Sequence, residues 1–529
     1  MKGFITAEEA AGMIRTDDVL AVDGFSGYGS CEALLKALVR RFRKTGAPRS
    51  LTVYKGVSLG NFTEKGLARL SMEDGLVGTI FGGHAGQEPI TMQMISENRC
   101  YAYLIPLGTV SSLLRAIASR KPGVVTRTGL KTFADPRLGG GKANRKTKES
   151  GKDIVQLLTV DGEEMLFYKT FPINACFIRG SYADEDGNIS LIKEAQYTQQ
   201  LEMASAVHSS GGLVFVQVAR VVKRGTLRPK EVHVPKFLVD YVVCADAENS
   251  RQNLDNDYRP ELTGEVQIPL QRAAKRPLDC KKICARRAAM ELGPDYLVNL
   301  GIGTPEVVAA VANEEGISDC MTLSVEAGVF GGVPQGNLAF GAAQNPEAIL
   351  KMADTLDIYD GGGLNYAVLG AAEIDARGNV NVSSFAGKAV GPGGFVDISQ
   401  NTPKICFIGT FTAGGLQVET GGGTLKILAE GRNIKFKAEL EEVTFSAEYA
   451  LAVKQTVLYC TERAVFRLAE QGIELIEIAP GVDLQKDILD HMEFTPVISP
   501  DLKRMDRRIF VDAPMGLTVT ENGADPFHT

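Results

Sequence analysis

One acidic residue, Glu326, ends a short apolar run in the stretch SVEAGVFGGVPQG, residues 324–336. The preceding MTLSV is typical of a strand buried on both faces, and the carboxyl edge of a parallel sheet is where α/β proteins bind substrates. An ionised carboxylate there can act as nucleophile, general base or ligand. The four glycines that follow within ten residues would let backbone approach a ligand closely. Local sequence alone leaves open a solvated glutamate at a strand end.

Two further segments run from strand through glycine turn to helix, GYGSCE at 27–32 and GIGTPE at 301–306. Both lack the third glycine of a dinucleotide fingerprint. The run Gly139–Lys142 is not a phosphate-binding P-loop, because Pro136 stands where that motif needs its first glycine. Such turns present free N–H groups that can hold an anion or a developing oxyanion. The alternative is a simple tight turn.

The composition excludes several classes of function. A net charge of -7 with 44% hydrophobic residues indicates a soluble globular protein and argues against nucleic-acid binding. No apolar run approaches the ~18 residues of a membrane span, and acidic residues near the N-terminus argue against a signal peptide. The nine cysteines are scattered without CxxC spacing and the five histidines do not cluster, so we expect reduced thiols, no metal site and a cytoplasmic location.

Strand-like and helix-like runs alternate along the chain, which predicts an α/β fold with mostly parallel sheets flanked by helices. The predicted strands include LTVYKGV, GLVFVQVARVV, YLVNLGIG and ICFIGTF. The predicted helices include SCEALLKALVRRFRK, DCKKICARRAAMEL and PEVVAAVANEE.

An internal echo relates the two halves of the chain. The turn at 27–32 matches that at 301–306, and FIRGSYADEDGNIS matches AVLGAAEIDARGNVN, in which Gly187 corresponds to Gly378. The separation along the chain between Gly187 and Gly378 is shorter than that between the turns at 27–32 and 301–306. This difference indicates an insertion in the first half, within about 84–170. Chance similarity of glycine-rich turns is the alternative.

The echo predicts two homologous domains. The first spans 1–250 and carries the insertion, a polar, proline-punctuated linker follows at 251–275, and the second domain spans 276–529 and carries Glu326. A helix from about 278 to 292 is expected to open the second domain.

The segment SVEAGVFGGVPQGNLAFG resembles the catalytic-glutamate segment of the family I coenzyme A transferases. It is most similar to the fused, single-chain acetate/propionate CoA-transferase type. The resemblance continues, in order and spacing, over nearly the whole chain through DGFSGYGSCEAL, KPGVVTRTGLKTFADPRLGGGKAN, NLGIGTPE, AVGPGGFVDISQ and EIAPGVDLQKDILDHMEF. It implies two domains of similar open α/β fold with the active site between them.

The resemblance also implies a reaction. Coenzyme A would pass reversibly from an acyl-CoA, such as acetyl-CoA or propionyl-CoA, to a free carboxylic acid by a ping-pong mechanism. Glu326 would be the nucleophile and would carry CoA as a glutamyl-CoA thioester, with CoA as a substrate, no tightly bound cofactor and no metal. Family members form dimers or tetramers, so a homo-oligomer is expected. Backbone at the oxyanion and CoA would come from Gly301, Ile302, Gly303, Gly393, Gly394 and Phe395.

The substrate-side loops depart from the family pattern at two places. In the first loop the family often has Gly-Gly-Phe and then Gly-x-Pro, whereas this chain has Asp23-Gly24-Phe25 and Gly29-Ser30-Cys31. In the second place, Leu107 stands where many members have a glutamine. A leucine cannot donate a hydrogen bond, so an acid larger or more hydrophobic than acetate is plausible. The residues assigned to the substrate side are Gly24, Phe25, Gly27, Leu107 and Gly108.

Two alternatives remain open on the sequence: an acyl-CoA hydrolase of the same fold, with water as the acceptor, and a non-catalytic, ligand-sensing relative. The basic loop of Arg137, Lys142, Arg145, Lys146 and Lys148 would contact CoA phosphates or, as an alternative, would be a solvated surface loop.

Overall fold

The structure, a computed structural model of the chain, describes residues 1–269, 275–385 and 387–520. Residues 270–274 of the predicted linker, with 386 and 521–529 of the predicted second domain, lie outside the described residues.

The chain forms two compact units that are not continuous in sequence. The first unit comprises Met1–Ile268, Val325–Asp357 and Ala386–Asp397, and the second comprises Pro269–Ser324, Ile358–Phe385 and Ile398–Thr529.

The segment with Glu326 therefore packs with the first unit, whereas the sequence assigns it to the second domain. The physical reason is local pairing: Met352 N–H donates to the Tyr197 carbonyl at 2.8 Å, beside a parallel bridge between Tyr197 and Lys351. The division into two homologous domains stays a prediction.

The first unit is built on a nine-stranded sheet whose neighbouring strands are parallel, apart from one short antiparallel strand, Ile189–Ser190, that pairs with Ala175–Asp184. The central strands are apolar and buried, as expected of a sheet covered on both faces. Their spatial order is Gly3–Phe4, Tyr241–Cys244, Leu213–Val222, Ala175–Asp184, Val19–Val22, Leu51–Lys55, Val77–Gly82 and Tyr101–Leu104.

Helices connect these strands. In Glu32–Thr45 the apolar residues Leu34, Leu35 and Leu38 recur at helical spacing and are fully buried in the core, and Gly46 ends the helix with φ 71°. A three-stranded antiparallel sheet of Gly123–Thr126, Glu163–Lys169 and Val155–Val160 lies in the stretch predicted as an insertion. The other helices that begin in this unit are Ala7–Gly12, Ala68–Ser71, Pro89–Ser96, Leu107–Ala118, Arg145–Ser150, Gln200–Ser209, Met352–Asp360 and Phe395–Asn401.

The strands of the second unit belong to a mixed sheet, in which the five neighbouring strands from Met321–Val325 to Thr456–Cys460 are parallel and Ala464–Ala469 runs antiparallel to both neighbours. The predicted helix at 278–292 is observed as Cys280–Ala289, where the Asp279 side chain caps the helix by accepting from Lys282 N–H. The strand order is Met321–Val325, Tyr296–Leu300, Tyr366–Gly370, Lys404–Ile408, Thr456–Cys460, Ala464–Ala469, Gly472–Ile478 and Val497–Arg504. The remaining helices are Val307–Glu315, Ala447–Ala452 and Leu484–Asp487, and the longer hairpin strands are Gln417–Gly421 and Thr424–Ala429.

The predicted fold class is confirmed: the sheets are mainly parallel and are flanked by helices. One expectation was too strong, because MTLSV forms the strand Met321–Val325 but only Ser324 and Val325 in it are buried. Over the described part of the chain, no helix has the length and apolar character needed to cross a membrane.

Candidate active site

Glu326 directly follows the strand Met321–Val325 and its side chain is half-buried. The chain turns immediately, with Gly328 N–H donating to the Val325 carbonyl at 2.9 Å. It then forms a narrow antiparallel ribbon in which Val329–Phe330 pairs with Ala348–Ile349. Glu326 is therefore held at a strand end by a hairpin that begins at Val329, three residues later.

The glycines after Glu326 are required by this hairpin. Gly328 has φ 102°, and a Cβ there would lie 2.1 Å from the Leu350 carbonyl oxygen. Gly332 has φ 68°, and a Cβ there would lie 2.2 Å from the Gln344 carbonyl oxygen. The sequence suggested that these glycines make room for a ligand, whereas at these two positions the close neighbours are the protein's own backbone.

Gly394 packs directly on the catalytic candidate. A Cβ at Gly394 would lie 3.3 Å from Cγ and 3.6 Å from Cδ of Glu326. Gly393 N–H donates to the Gly83 carbonyl at 2.9 Å, and Phe395 N–H donates to the Pro392 carbonyl at 3.0 Å. Two of the three predicted oxyanion donors are thus already hydrogen bonded. Across the described ranges the Gly394 N–H has no acceptor, which makes it the group in this trio that can donate to a ligand.

Leu107 and Gly108 join the same cluster through their backbone. Leu107 N–H donates to the Gly393 carbonyl at 3.0 Å, and Gly108 N–H donates to the Asp397 carboxylate at 3.0 Å. These bonds connect the start of helix Leu107–Ala118 to the segment beside Glu326. The Leu107 side chain is fully buried, so a substrate contact with it stays a prediction.

The N-terminal glycine loop packs against the tip of the hairpin that follows Glu326. The rings of Phe25 and Phe340 stack with centroids 5.7 Å apart, and a Cβ at Gly27 would lie 3.3 Å from the Leu338 carbonyl oxygen. Gly24 has φ 145°, and a Cβ there would lie 2.5 Å from the Leu59 side chain. The structure thus brings all three predicted loop residues to one cluster, where protein packing already accounts for their types.

Asp23, one of the departures from the family pattern, has an internal role. Its carboxylate is fully buried and accepts from the Thr198 hydroxyl at 2.6 Å and from Gln199 N–H at 3.1 Å. Burial raises the pKa of Asp23 to about 6. The residue therefore anchors the first loop to the segment around Thr198.

Sequence reasoning missed His84, which follows strand Val77–Gly82 in the stretch FGGHAGQEP. Its Nδ1 atom lies 2.9 Å from the Ser58 hydroxyl and accepts from Gly86 N–H at 3.2 Å. Burial, together with the nearby Lys55 ammonium, lowers the pKa of His84 to about 4. A histidine in a glycine-rich turn at the carboxyl end of a parallel strand was the available signal.

The predicted turn Gly301–Gly303 belongs to the second unit. Gly301 N–H donates to the Val368 carbonyl at 2.9 Å, the Ile302 side chain is 58% exposed, and Gly303 has φ 88°. Among residues with described coordinates, none accepts from the N–H of Ile302 or Gly303. Both groups are available as donors, and their oxyanion role stays a prediction.

The predicted basic loop is mostly paired within the protein. Arg137 binds the buried Asp135 carboxylate and Glu164 at 2.7 Å each, and Lys142 pairs with Asp153 at 2.7 Å. The Lys146 ammonium lies 4.7 Å from the centre of the Tyr101 ring. These contacts favour a structural role over binding of CoA phosphates.

No group of three or more His, Cys, Asp or Glu side chains is arranged to hold a metal ion in the part of the chain that the structure describes. The nine cysteines are free thiols.

Three comparisons with known proteins bear on this arrangement. A family model described as Coenzyme A transferase matches residues 4–245. The chain is 42% identical to caffeate CoA-transferase of Acetobacterium woodii over 98% of this chain and 99% of the relative. It is 43% identical to acetate CoA-transferase YdiF of Escherichia coli O157:H7 over 98% of this chain and 97% of the relative.

A solved structure of the E. coli acyl-CoA transferase YdiF, described as a thioester complex with CoA, superposes with a TM-score of 0.91. That protein is 40% identical in the alignment, which covers 98% of both chains. Since relatives above 40% identity extend over nearly its whole length, the chain belongs to the coenzyme A transferase family, enzymes that move coenzyme A from an acyl-CoA to a free carboxylic acid.

Proposed function

We propose that Glu326 is the nucleophile of a ping-pong CoA transfer and carries the CoA as a glutamyl thioester. The observation that supports this most strongly is the position of Glu326, a half-buried carboxylate at a strand end. Gly394 packs against its side chain, and the N–H of Gly394 is available to donate to a ligand. The thioester complex solved for the E. coli relative is consistent with the same intermediate.

The reaction proceeds by four successive acyl-transfer steps. A Glu326 carboxylate oxygen attacks the thioester carbonyl of the donor, the carbon–sulfur bond breaks, and CoA leaves as a thiolate. The thiolate then attacks the glutamyl carbonyl of the mixed anhydride, which releases the donor acid as a carboxylate and leaves glutamyl-CoA. An acceptor carboxylate then attacks the glutamyl-CoA carbonyl and releases the CoA thiolate, which gives a second mixed anhydride. The thiolate attacks the acceptor carbonyl of that anhydride, which releases the new acyl-CoA and the free Glu326 carboxylate. No proton or water is consumed, and the anhydride and thioester store the acyl activation.

Each tetrahedral intermediate carries an oxyanion that preorganised N–H groups must stabilise. Gly394 N–H is the donor available beside Glu326, and for Ile302 and Gly303 N–H the oxyanion role implied by the family resemblance is kept as part of the proposal. Removal of one such donor costs on the order of 10²–10³ in kcat.

The identity of the acids is the finer part of the proposal. One relative is named for acetate and another for caffeate at nearly the same identity. Leu107 removes a polar donor on the substrate side, so we propose a short-chain acyl-CoA donor and an acceptor more hydrophobic than acetate. Acceptor specificity constants for acetate, propionate, butyrate and caffeate with one acyl-CoA donor test this; a preference for acetate would refute the hydrophobic acceptor.

Coenzyme A is proposed as a substrate that exchanges freely, with no tightly bound cofactor, in a cytoplasmic homo-oligomer. Mass spectrometry of the purified protein under native conditions tests both the subunit number and any retained small molecule.

The central experiment is intact mass spectrometry after incubation with acetyl-CoA or propionyl-CoA and no acceptor. The wild-type protein should gain the mass of CoA less one water, on Glu326, and borohydride or hydroxylamine should remove the adduct. Glu326→Gln, which keeps the side-chain size, should gain nothing. An adduct on another residue, or none in a folded wild-type protein, would refute the nucleophile. Turnover of acyl-CoA without any added acid would instead indicate hydrolysis.

A further inference from the structure

We infer that His84 is a second functional group of this site: a neutral imidazole that donates a hydrogen bond from Nε2 to the acyl oxygen of the substrate beside Glu326. This inference rests on the proposed function. It assigns a role to a side chain that is neither the proposed nucleophile nor one of the proposed backbone donors.

The first argument is position. Gly393 N–H donates to the Gly83 carbonyl at 2.9 Å, and Ala85 N–H donates to the Val390 carbonyl at 2.8 Å, so backbone bonds on both sides of His84 attach it to the segment beside Glu326. A Cβ at Gly393 would lie 3.8 Å from the Cβ atom of His84. A Cβ at the next residue, Gly394, would lie 3.3 Å from Cγ of Glu326. The histidine and the glutamate thus pack beside consecutive glycines.

The second argument is the tautomer. A backbone N–H can only donate, so the Nδ1 atom that accepts from Gly86 N–H at 3.2 Å carries no proton. The Ser58 hydroxyl accepts from Gln87 N–H at 3.2 Å and lies 2.9 Å from the same Nδ1. Its own hydrogen is therefore directed to Nδ1. With two donors at Nδ1, the proton of the neutral ring is on Nε2.

The third argument is that Nε2 is left for a bound molecule. The His84 ring is half-buried, and no described residue forms a hydrogen bond at its Nε2. A Cβ at Gly86 would lie 2.4 Å from Cε1 and 2.9 Å from Nε2, so any other residue at position 86 would cover this edge of the ring. Glycine at 86 keeps the donor accessible.

The charge state fits the task. The lowered pKa, about 4, keeps His84 uncharged near neutral pH, where it can donate without pairing with the nucleophilic carboxylate as an imidazolium would. The nearby Lys55 forms a buried ion pair with Glu88 at 2.6 Å.

Two substitutions separate this role from a structural one. His84→Asn keeps an oxygen near Nδ1 that accepts from Gly86 and Ser58 but has no donor at Nε2, whereas His84→Gln retains an N–H donor near Nε2. We expect His84→Asn to lower kcat/KM for acyl transfer about 10²-fold, in the range for loss of one oxyanion donor, and His84→Gln to remain within about tenfold of wild type. The rate of adduct formation on Glu326 should follow the same order.

A third variant tests the same role if the two His84 variants do not fold. Gly86→Ala keeps the imidazole but places a methyl group 2.4 Å from Cε1 and 2.9 Å from Nε2, so the ring must shift. Adduct formation should fall, and the melting temperature checks that the protein remains folded. Full activity in His84→Asn, equal losses in Asn and Gln variants, or full activity in Gly86→Ala would overturn the role of His84. Absence of the adduct in the wild-type protein would instead overturn Glu326 as nucleophile, so the two failures are distinguishable.

Discussion

The Cα atom of Gly394 lies against the side chain of Glu326, so closely that a methyl group at this position would stand 3.3–3.6 Å from Cγ, Cβ and Cδ of the glutamate. Contacts of 3.3–3.4 Å are tighter than ordinary van der Waals contact, so the glutamate would have to move to admit the methyl group. The backbone of Gly394 therefore restricts where the nucleophile can be.

Gly394→Ala should lower kcat by about tenfold or more, because catalysis depends on positioning at the level of 1 Å, and should change the melting temperature little. Gly12→Ala is the matched control, since nothing lies within 4 Å of a Cβ there and the residue ends a helix. Steady-state kinetics and thermal unfolding of both variants check this. Wild-type kcat in Gly394→Ala would contradict it.

Gly328→Ala should destabilise the protein by more than ~2 kcal/mol, since φ 102° strains an L-residue and the new methyl meets the Leu350 carbonyl oxygen at 2.1 Å. Gly415→Ala has a similar φ of 112° with nothing within 4 Å, and should cost only ~1 kcal/mol. Urea denaturation measures both. Equal losses would mean that backbone strain alone, and not the hairpin packing, makes glycine necessary at 328.

Asp23 should make stability fall as pH rises. Its folded pKa, about 6, lies above the ordinary value of 3.8 because the carboxyl is buried. Between these values the folded state binds more protons than the unfolded state. The contribution of Asp23 to the free energy of unfolding therefore falls as pH rises through this window and is constant above it. Between pH 5 and pH 8 the change is about 1 kcal/mol.

Asp23→Asn should remove this dependence. The difference in free energy of unfolding between variant and wild type should shift by about 1 kcal/mol in favour of the variant from pH 5 to pH 8. Denaturant titrations at the two pH values measure it. A constant difference would show that Asp23 titrates normally in the folded protein.

Arg137→Ala should reduce stability rather than CoA binding. The guanidinium binds Asp135, whose side chain is fully buried, and loss of that partner leaves a buried carboxylate at a cost of ~1–2 kcal/mol. Lys148→Ala is the comparison, because no ion pair of Lys148 occurs among the described residues. Both variants should keep the wild-type KM for acyl-CoA. A tenfold rise in KM for Arg137→Ala would restore the phosphate-binding interpretation.

The sequence by itself determined the α/β class, most strand and helix positions and the candidate nucleophile. Apolar runs such as GLVFVQVARVV are typical of buried strands. The family resemblance of the segment around Glu326 continues over nearly the whole chain.

Only the tertiary structure decided which backbone groups are available and what packs with Glu326. Gly393, Gly394 and Phe395 are equivalent in sequence as possible donors, but hydrogen bonds to Gly83 and Pro392 occupy two of them. The role of His84 was equally hidden, because its tautomer depends on Ser58, 26 residues away in sequence, and on the turn at Gly86. Hydrogen-bond partners are set by distances in space, and a linear pattern does not carry them.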